Sequence, residues 1–154
     1  MNAKFHLRHR AMWWVIGPSV VVMMVLAACA PAGTSTQAIT GIVWQWTAMQ
    51  ETVPASQSVV PDPENYTILF NTDGSVNIKA DCNQVAGTYT LSGSSLTIQL
   101  GASTMAFCGE ASQDTIYLSS LSRVSSYAVE GGALQLKFAN DAGKMDFRNG
   151  GAAP

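Results

Sequence analysis

Apolar residues in this chain recur at every second position, in short runs separated by turns that carry glycine. Ile42, Trp44 and Trp46 alternate with Val43, Gln45 and Thr47; Tyr66, Ile68 and Phe70 with Thr67, Leu69 and Asn71; Val76, Ile78 and Ala80 with Asn77, Lys79 and Asp81. A period of two marks a strand with one face buried and the other in water. Thr72-Asp73-Gly74 joins the second and third runs through a turn whose glycine is free to take positive φ, so the pair reads as a hairpin. Alternation resumes at Tyr89 and Leu91, and again at Leu96, Ile98 and Leu100 beyond Gly93. It returns at Tyr127 and Val129, at Leu134, Leu136 and Phe138 after Gly131-Gly132, and at Met145 and Phe147 after a turn at 140–143. About eight short antiparallel strands follow from this pattern.

One segment departs from it. Between 112 and 124, Tyr117, Leu121 and Val124 fall at i, i+4 and i+7 with Leu118 on the same side, while Gln113, Ser119, Ser120 and Ser122 turn to solvent. Ser112 suits an N-cap, and Asp114 and Arg123 complement the helix dipole at opposite ends. An amphipathic helix packed on a sheet is the expectation. Residues 51–64, with Pro54, Pro61 and Pro63, read as a long loop and a candidate contact surface, and residues 81–86 as an irregular crossing between strands.

The amino-terminal stretch belongs to another kind of segment. Lys4, Arg8 and Arg10 precede a nearly unbroken apolar run over 11–28 that ends Leu26-Ala27-Ala28-Cys29. A basic region, an apolar region and small residues before a cut site describe a secretory signal peptide over 1–28. Leu-Ala-Ala-Cys resembles the lipobox of bacterial lipoproteins. That resemblance implies cleavage before Cys29, acyl chains such as palmitate on its thiol, and stable attachment to the lipid bilayer. The competing reading, an uncleaved membrane helix, sits poorly with Gly17-Pro18 and with the cysteine. Ala30 resembles the second residue of outer-membrane lipoproteins, so the expected place is the cell envelope: the outer membrane of a Gram-negative cell, otherwise the outer face of the cell membrane. Residues 29–40 read as a lipidated flexible tether spanning about 18 Å, residues 41–148 as one domain, and residues 149–154 as a disordered tail.

Removing the signal changes the charge and the chemistry. Five basic residues then face ten acidic ones, a net charge of −5, which leaves no basic patch for nucleic acid. His6 and His9 leave as well, so the mature chain has no histidine. Serine–histidine and cysteine–histidine catalysis and histidine-based metal sites are thereby excluded, and no cofactor or metal is expected. With Cys29 lipidated, Cys82 and Cys108 remain as a disulfide in an oxidising compartment, closing a loop worth about 3.5 kcal/mol on the chain-entropy model; a reactive thiol pair is the alternative. Asp81 and Asn83, beside Cys82, suit local turns to the backbone. Asp81 with Glu110 would also supply the paired carboxylates of a wall-sugar hydrolase. Trp44, Trp46, Tyr66 and Met105 could line a groove for an apolar ligand or an extended polypeptide, or fill the core.

The ordered set of motifs is more specific than any of its parts. A tryptophan-rich first strand, Tyr66-Thr67-x-x-Phe70-x-x-x-Gly74, Asp81-Cys82-Asn83-x-x-x-Gly87-x-Tyr89, Ser103-Thr104-Met105-Ala106-Phe107-Cys108, a single helix and Leu134-x-Leu136 together resemble the META domain, the family of the heat-shock protein HslJ. Two positions depart from it: Asp81 stands where glycine is more usual, and Asp114 is the helix's only acid where glutamate is more usual. The resemblance implies a mostly β (α+β) fold, an open antiparallel barrel-like sheet with the helix across it. It also implies a role in envelope stress without an established reaction. The functional expectation is a monomeric, non-catalytic lipoprotein whose partner is another envelope protein, with ligand binding in the barrel as the first alternative and sugar hydrolysis as the second.

Overall fold

The computed structural model describes residues 39–154. The signal peptide, the lipidation site Cys29 and most of the tether lie outside the described residues. Nine strands form one antiparallel sheet: β1 (Ile42–Thr52), β2 (Ala55–Val59), β3 (Tyr66–Phe70), β4 (Ser75–Ala80), β5 (Asn83–Ser92), β6 (Ser95–Ser103), β7 (Val124–Glu130), β8 (Ala133–Phe138) and β9 (Gly143–Ala152). Among the described residues a single α-helix, α1 (Asp114–Leu121), interrupts them between β6 and β7. Strands β3 to β9 are neighbours in sequence order, and β1 bonds both β3 and β9, so the sheet closes on itself. The open sheet implied by the family resemblance is therefore corrected to a closed eight-stranded barrel, with β2 as an extra strand folded back along the far half of β1. Closure pairs β1 with β9 and leaves the short β2 as an edge strand.

The predicted alternation is the barrel's interior. Trp44, Trp46, Ile68, Phe70, Val76, Ile78, Leu96, Leu134, Leu136, Met145 and Phe147 are all buried. Phase changes occur at bulges, which alternation alone does not announce. A register shift between Trp46 and Ala48 turns Met49 inward, out of step with the tryptophans. Another between Val124 and Ser126 does the same for Tyr127. At the β5–β6 bulge Gly87 runs against the next strand so closely that a Cβ there would collide with the Gln99 carbonyl oxygen. Only glycine fits that approach.

Several boundaries move. Residues 51–64 are mostly structured: β1 continues to Thr52, turns through Val53-Pro54 and returns as β2, with Thr52 opposite Ala55. All five residues of β2 are exposed, which is why no alternation marked it. The crossing expected at 81–86 is a tight turn at Asp81 and Cys82, with Ala80 opposite Asn83. The tail expected at 149–154 is instead the end of β9, where Asn149 and Ala152 pair with Trp44 and Ile42 and Ala153 N–H bonds Gly41 O at 2.9 Å. The tether ends early too, since Ile39 is buried and Thr40 bridges Phe70.

Helix α1 is two turns long, shorter than the 112–124 periodicity predicts. Val124 is buried as the first residue of β7 rather than as a helix position. Ser120, expected in water, is buried and donates to Met49 Sδ at 3.3 Å, because 117, 120 and 121 form the inward face. Tyr117 plugs the barrel at this level: it stacks on Trp46 at 5.0 Å, meets Tyr66 edge-on at 5.7 Å and reaches Phe147 at 6.4 Å. The helix packs against β1, β3 and β9 through Tyr117 and Ser120, while β6 and β7 share only the Ser95–Ser126 pair.

Candidate functional site

Cys82 and Cys108 are bonded, with their Cα atoms 5.6 Å apart. The bridge joins the β4–β5 turn to the segment between β6 and α1, residues 104–113, and turns that connection into a fixed surface feature. Asp81 occupies the turn with φ of 58° and donates its N–H to Asn65 O at 2.7 Å. That left-handed conformation favours glycine and tolerates aspartate, so the departure from the family pattern leaves the backbone geometry intact.

Asn83 is the anchor of the segment. Its Oδ1 accepts from Ala106 N–H at 2.8 Å and Thr104 Oγ1 at 3.0 Å, while Nδ2 donates to Ala106 O at 3.0 Å and Asp114 Oδ2 at 3.2 Å. Its carboxamide thus pairs with both backbone groups of Ala106, as a neighbouring strand would. The local turn expected at Asn83 is replaced by this long-range role. Thr104 adds a ladder-like pair with Gln84, N–H to carbonyl at 3.0 Å and Gln84 N–H to Thr104 Oγ1 at 2.9 Å. Tyr66 ties the far end, accepting from Gln113 N–H at 2.9 Å and donating to Asp81 Oδ2 at 3.3 Å.

What this scaffold displays is apolar. Met105 is 94% and Phe107 79% exposed, on either side of the pinned Ala106, and Ile116 on α1 is half exposed nearby in sequence. Two adjoining hollows, of about 390 and 310 Å³, flank the segment and share Ala106, Phe107, Asp114 and Thr115; Met105 and Leu118 line the first, Glu110 the second. A hollow of about 420 Å³ on the β5–β6 surface, between Asn77, Gln84 and Ser103, offers small and polar side chains instead.

The other residues singled out in the sequence separate into the barrel. Trp44 and Trp46 are fully buried, their indole N–H groups bonded to Ile39 O and Ala48 O, each at 2.9 Å. Tyr66 is buried with its hydroxyl in the network above, so Met105 does not share a groove with these three. Glu110 is exposed on the segment after the disulfide. Phe107 was missed as a site residue; its place beside Cys108 inside the Ser103–Cys108 motif was the available signal.

The model of the META domain family matches residues 37–149. The chain belongs to the META domain family. Among solved structures, it is similar to a protein from Burkholderia xenovorans determined by NMR, 22% identical, with a TM-score of 0.58 over 79% of this chain and 92% of that one. A crystal structure of a DUF4847 family protein from Bacteroides vulgatus is 12% identical, with a TM-score of 0.56 over 71% of this META chain and 93% of that chain. Both likenesses concern the fold. No curated protein matches significantly.

Proposed function

We propose that this META protein is a lipid-anchored lipoprotein of the cell envelope, and that its domain is a non-catalytic interaction module whose contact surface is the segment 103–109. One observation carries the reading: Met105 and Phe107 stand in water on a segment held by a disulfide and by the Asn83 carboxamide. Their exposure is therefore built in rather than a result of slack, and rigid apolar anchors of this kind lose little entropy on binding. The segment 51–64 also exposes Val53 and Val59, but it is the weaker contact candidate because no disulfide holds it and the rest of β2 is small and polar. Ligand binding inside the barrel is disfavoured because Trp44, Trp46 and Tyr117 are buried in it and Trp46 stacks on Tyr117.

The test uses the full chain in its own envelope. Met105→Ser with Phe107→Ser leaves the unfolding midpoint nearly unchanged, since surface positions shift stability by about 0.5 kcal/mol or less, and lowers co-purification of the partner at least about tenfold. Retention of the partner by this variant overturns the proposed surface. Cys29→Ser loses incorporated palmitate and moves the chain from the membrane to the soluble fraction. Turnover of muropeptides by the purified protein, abolished by Glu110→Gln, would replace the interaction reading with a hydrolase.

A further inference from the structure

We infer that the groove beside Met105 and Phe107 takes a linear segment of a partner polypeptide in which lysine or arginine is interspersed with apolar residues. This rests on the reading of 103–109 as the contact surface and adds the chemistry of what it contacts. The apolar part of the recognition is supplied by Met105, Phe107 and Leu118, which line hollows sized for a few side chains rather than for the face of a domain.

The electrostatic part is one-sided. Asp114 lines both hollows and Glu110 the second, and neither has an ion-pair partner among the described residues. The domain's cations are committed or placed elsewhere. Arg123 pairs with Glu51 at 2.8 Å, Lys144 with Asp146 at 3.0 Å and Arg148 with Glu64 at 3.8 Å. Lys79 donates to Asn65 Oδ1 at 2.9 Å, and Lys137 lines a separate hollow with Lys144. An apolar hollow at Met105, Phe107 and Leu118 that runs into a polar one holding Glu110 and Asp114, both free of lysine and arginine, complements a segment that is apolar and basic, and repels an acidic one. The same signs disfavour anionic lipid head groups at this face.

The full chain carrying a photo-crosslinking benzoylphenylalanine in place of Phe107 is irradiated in intact cells, and the crosslinked peptide is sequenced. A protein segment bearing lysine or arginine among apolar residues is the expected product. Its yield falls about threefold with Glu110→Lys, the size of effect that one rim charge supports, and Glu110 is exposed, so the fold is untouched. A crosslink to a neutral or acidic protein segment, or a yield indifferent to Glu110→Lys, overturns the inference while leaving the contact surface standing. A crosslink to phospholipid, to a second copy of this chain, or to nothing overturns both.

Discussion

Asn83 shows how much one side chain can organise when it is buried next to a chain crossing. It lies where alternation places an inward residue of β5, yet it is polar, and its amide satisfies Ala106, Thr104 and Asp114 at once. Asn83→Ala leaves those groups without their partner, and we expect a loss of about 2–4 kcal/mol in denaturant unfolding, because buried donors and acceptors left unpaired carry their full desolvation penalty. Tyr117 tests the opposite case, a buried hydroxyl with no hydrogen-bond partner among the described residues. Burial pushes its phenol well above the ordinary tyrosine range. Below about pH 10 both folded and unfolded chains keep it neutral; above that the unfolded chain ionises first, so stability falls as pH rises. Tyr117→Phe keeps the ring stack, changes neutral-pH stability by less than about 1 kcal/mol and flattens the alkaline fall measured by unfolding at successive pH values. Smaller shares remain from Tyr89 and Tyr127, also raised by burial.

At the scale of elements, the strands that sequence alternation located are those with one face in the core, and β2 escaped because neither of its faces is buried. The helix was legible as a helix but not in its limits: Val124 continues the 3.6-residue spacing and is nonetheless claimed by β7 through its pairing with Phe138. The segment 104–113 has no periodicity at all and depends on its attachments. Replacing Cys82 and Cys108 by serine removes the cross-link over 26 residues of separation. About 3.5 kcal/mol of stability should go with it on the chain-entropy model. Amide exchange should accelerate in 104–113 while β3, β4 and β8 stay protected. Uniform acceleration across the barrel would mean that the disulfide supports the whole fold rather than this display segment.

For the whole molecule, closure is the decisive event, and it is made by the two ends of the domain. β1 and β9 pair from Ile42–Ala152 to Glu51–Gly143, a contact that joins residues about as far apart in sequence as the domain allows. Deleting residues 149–154 removes its first pairs and uncovers the edge of β1. The expected cost is about 2–3 kcal/mol from lost ladder bonds and packing, read as a lowered unfolding midpoint together with new aggregation from the exposed edge. An unchanged midpoint would mean that these residues do not close the barrel.

The sequence by itself determined what depends on local periodicity and on residue type: eight inward-facing rows, one helix, a disulfide partner for Cys82, and membership of a family through an ordered set of motifs. Tertiary structure decided what depends on distant partners. Asn149-Gly150-Gly151-Ala152 has no strand propensity of its own and becomes a strand because β1 offers it a ladder. Met49 and Tyr127 enter the core because bulges reset the alternation. Trp44 and Trp46, equally suited to a binding groove or a core wall when read along the chain, become core because the sheet closes around them. Met105 and Phe107 remain in water for the complementary reason: the disulfide and Asn83 hold their segment outside the barrel.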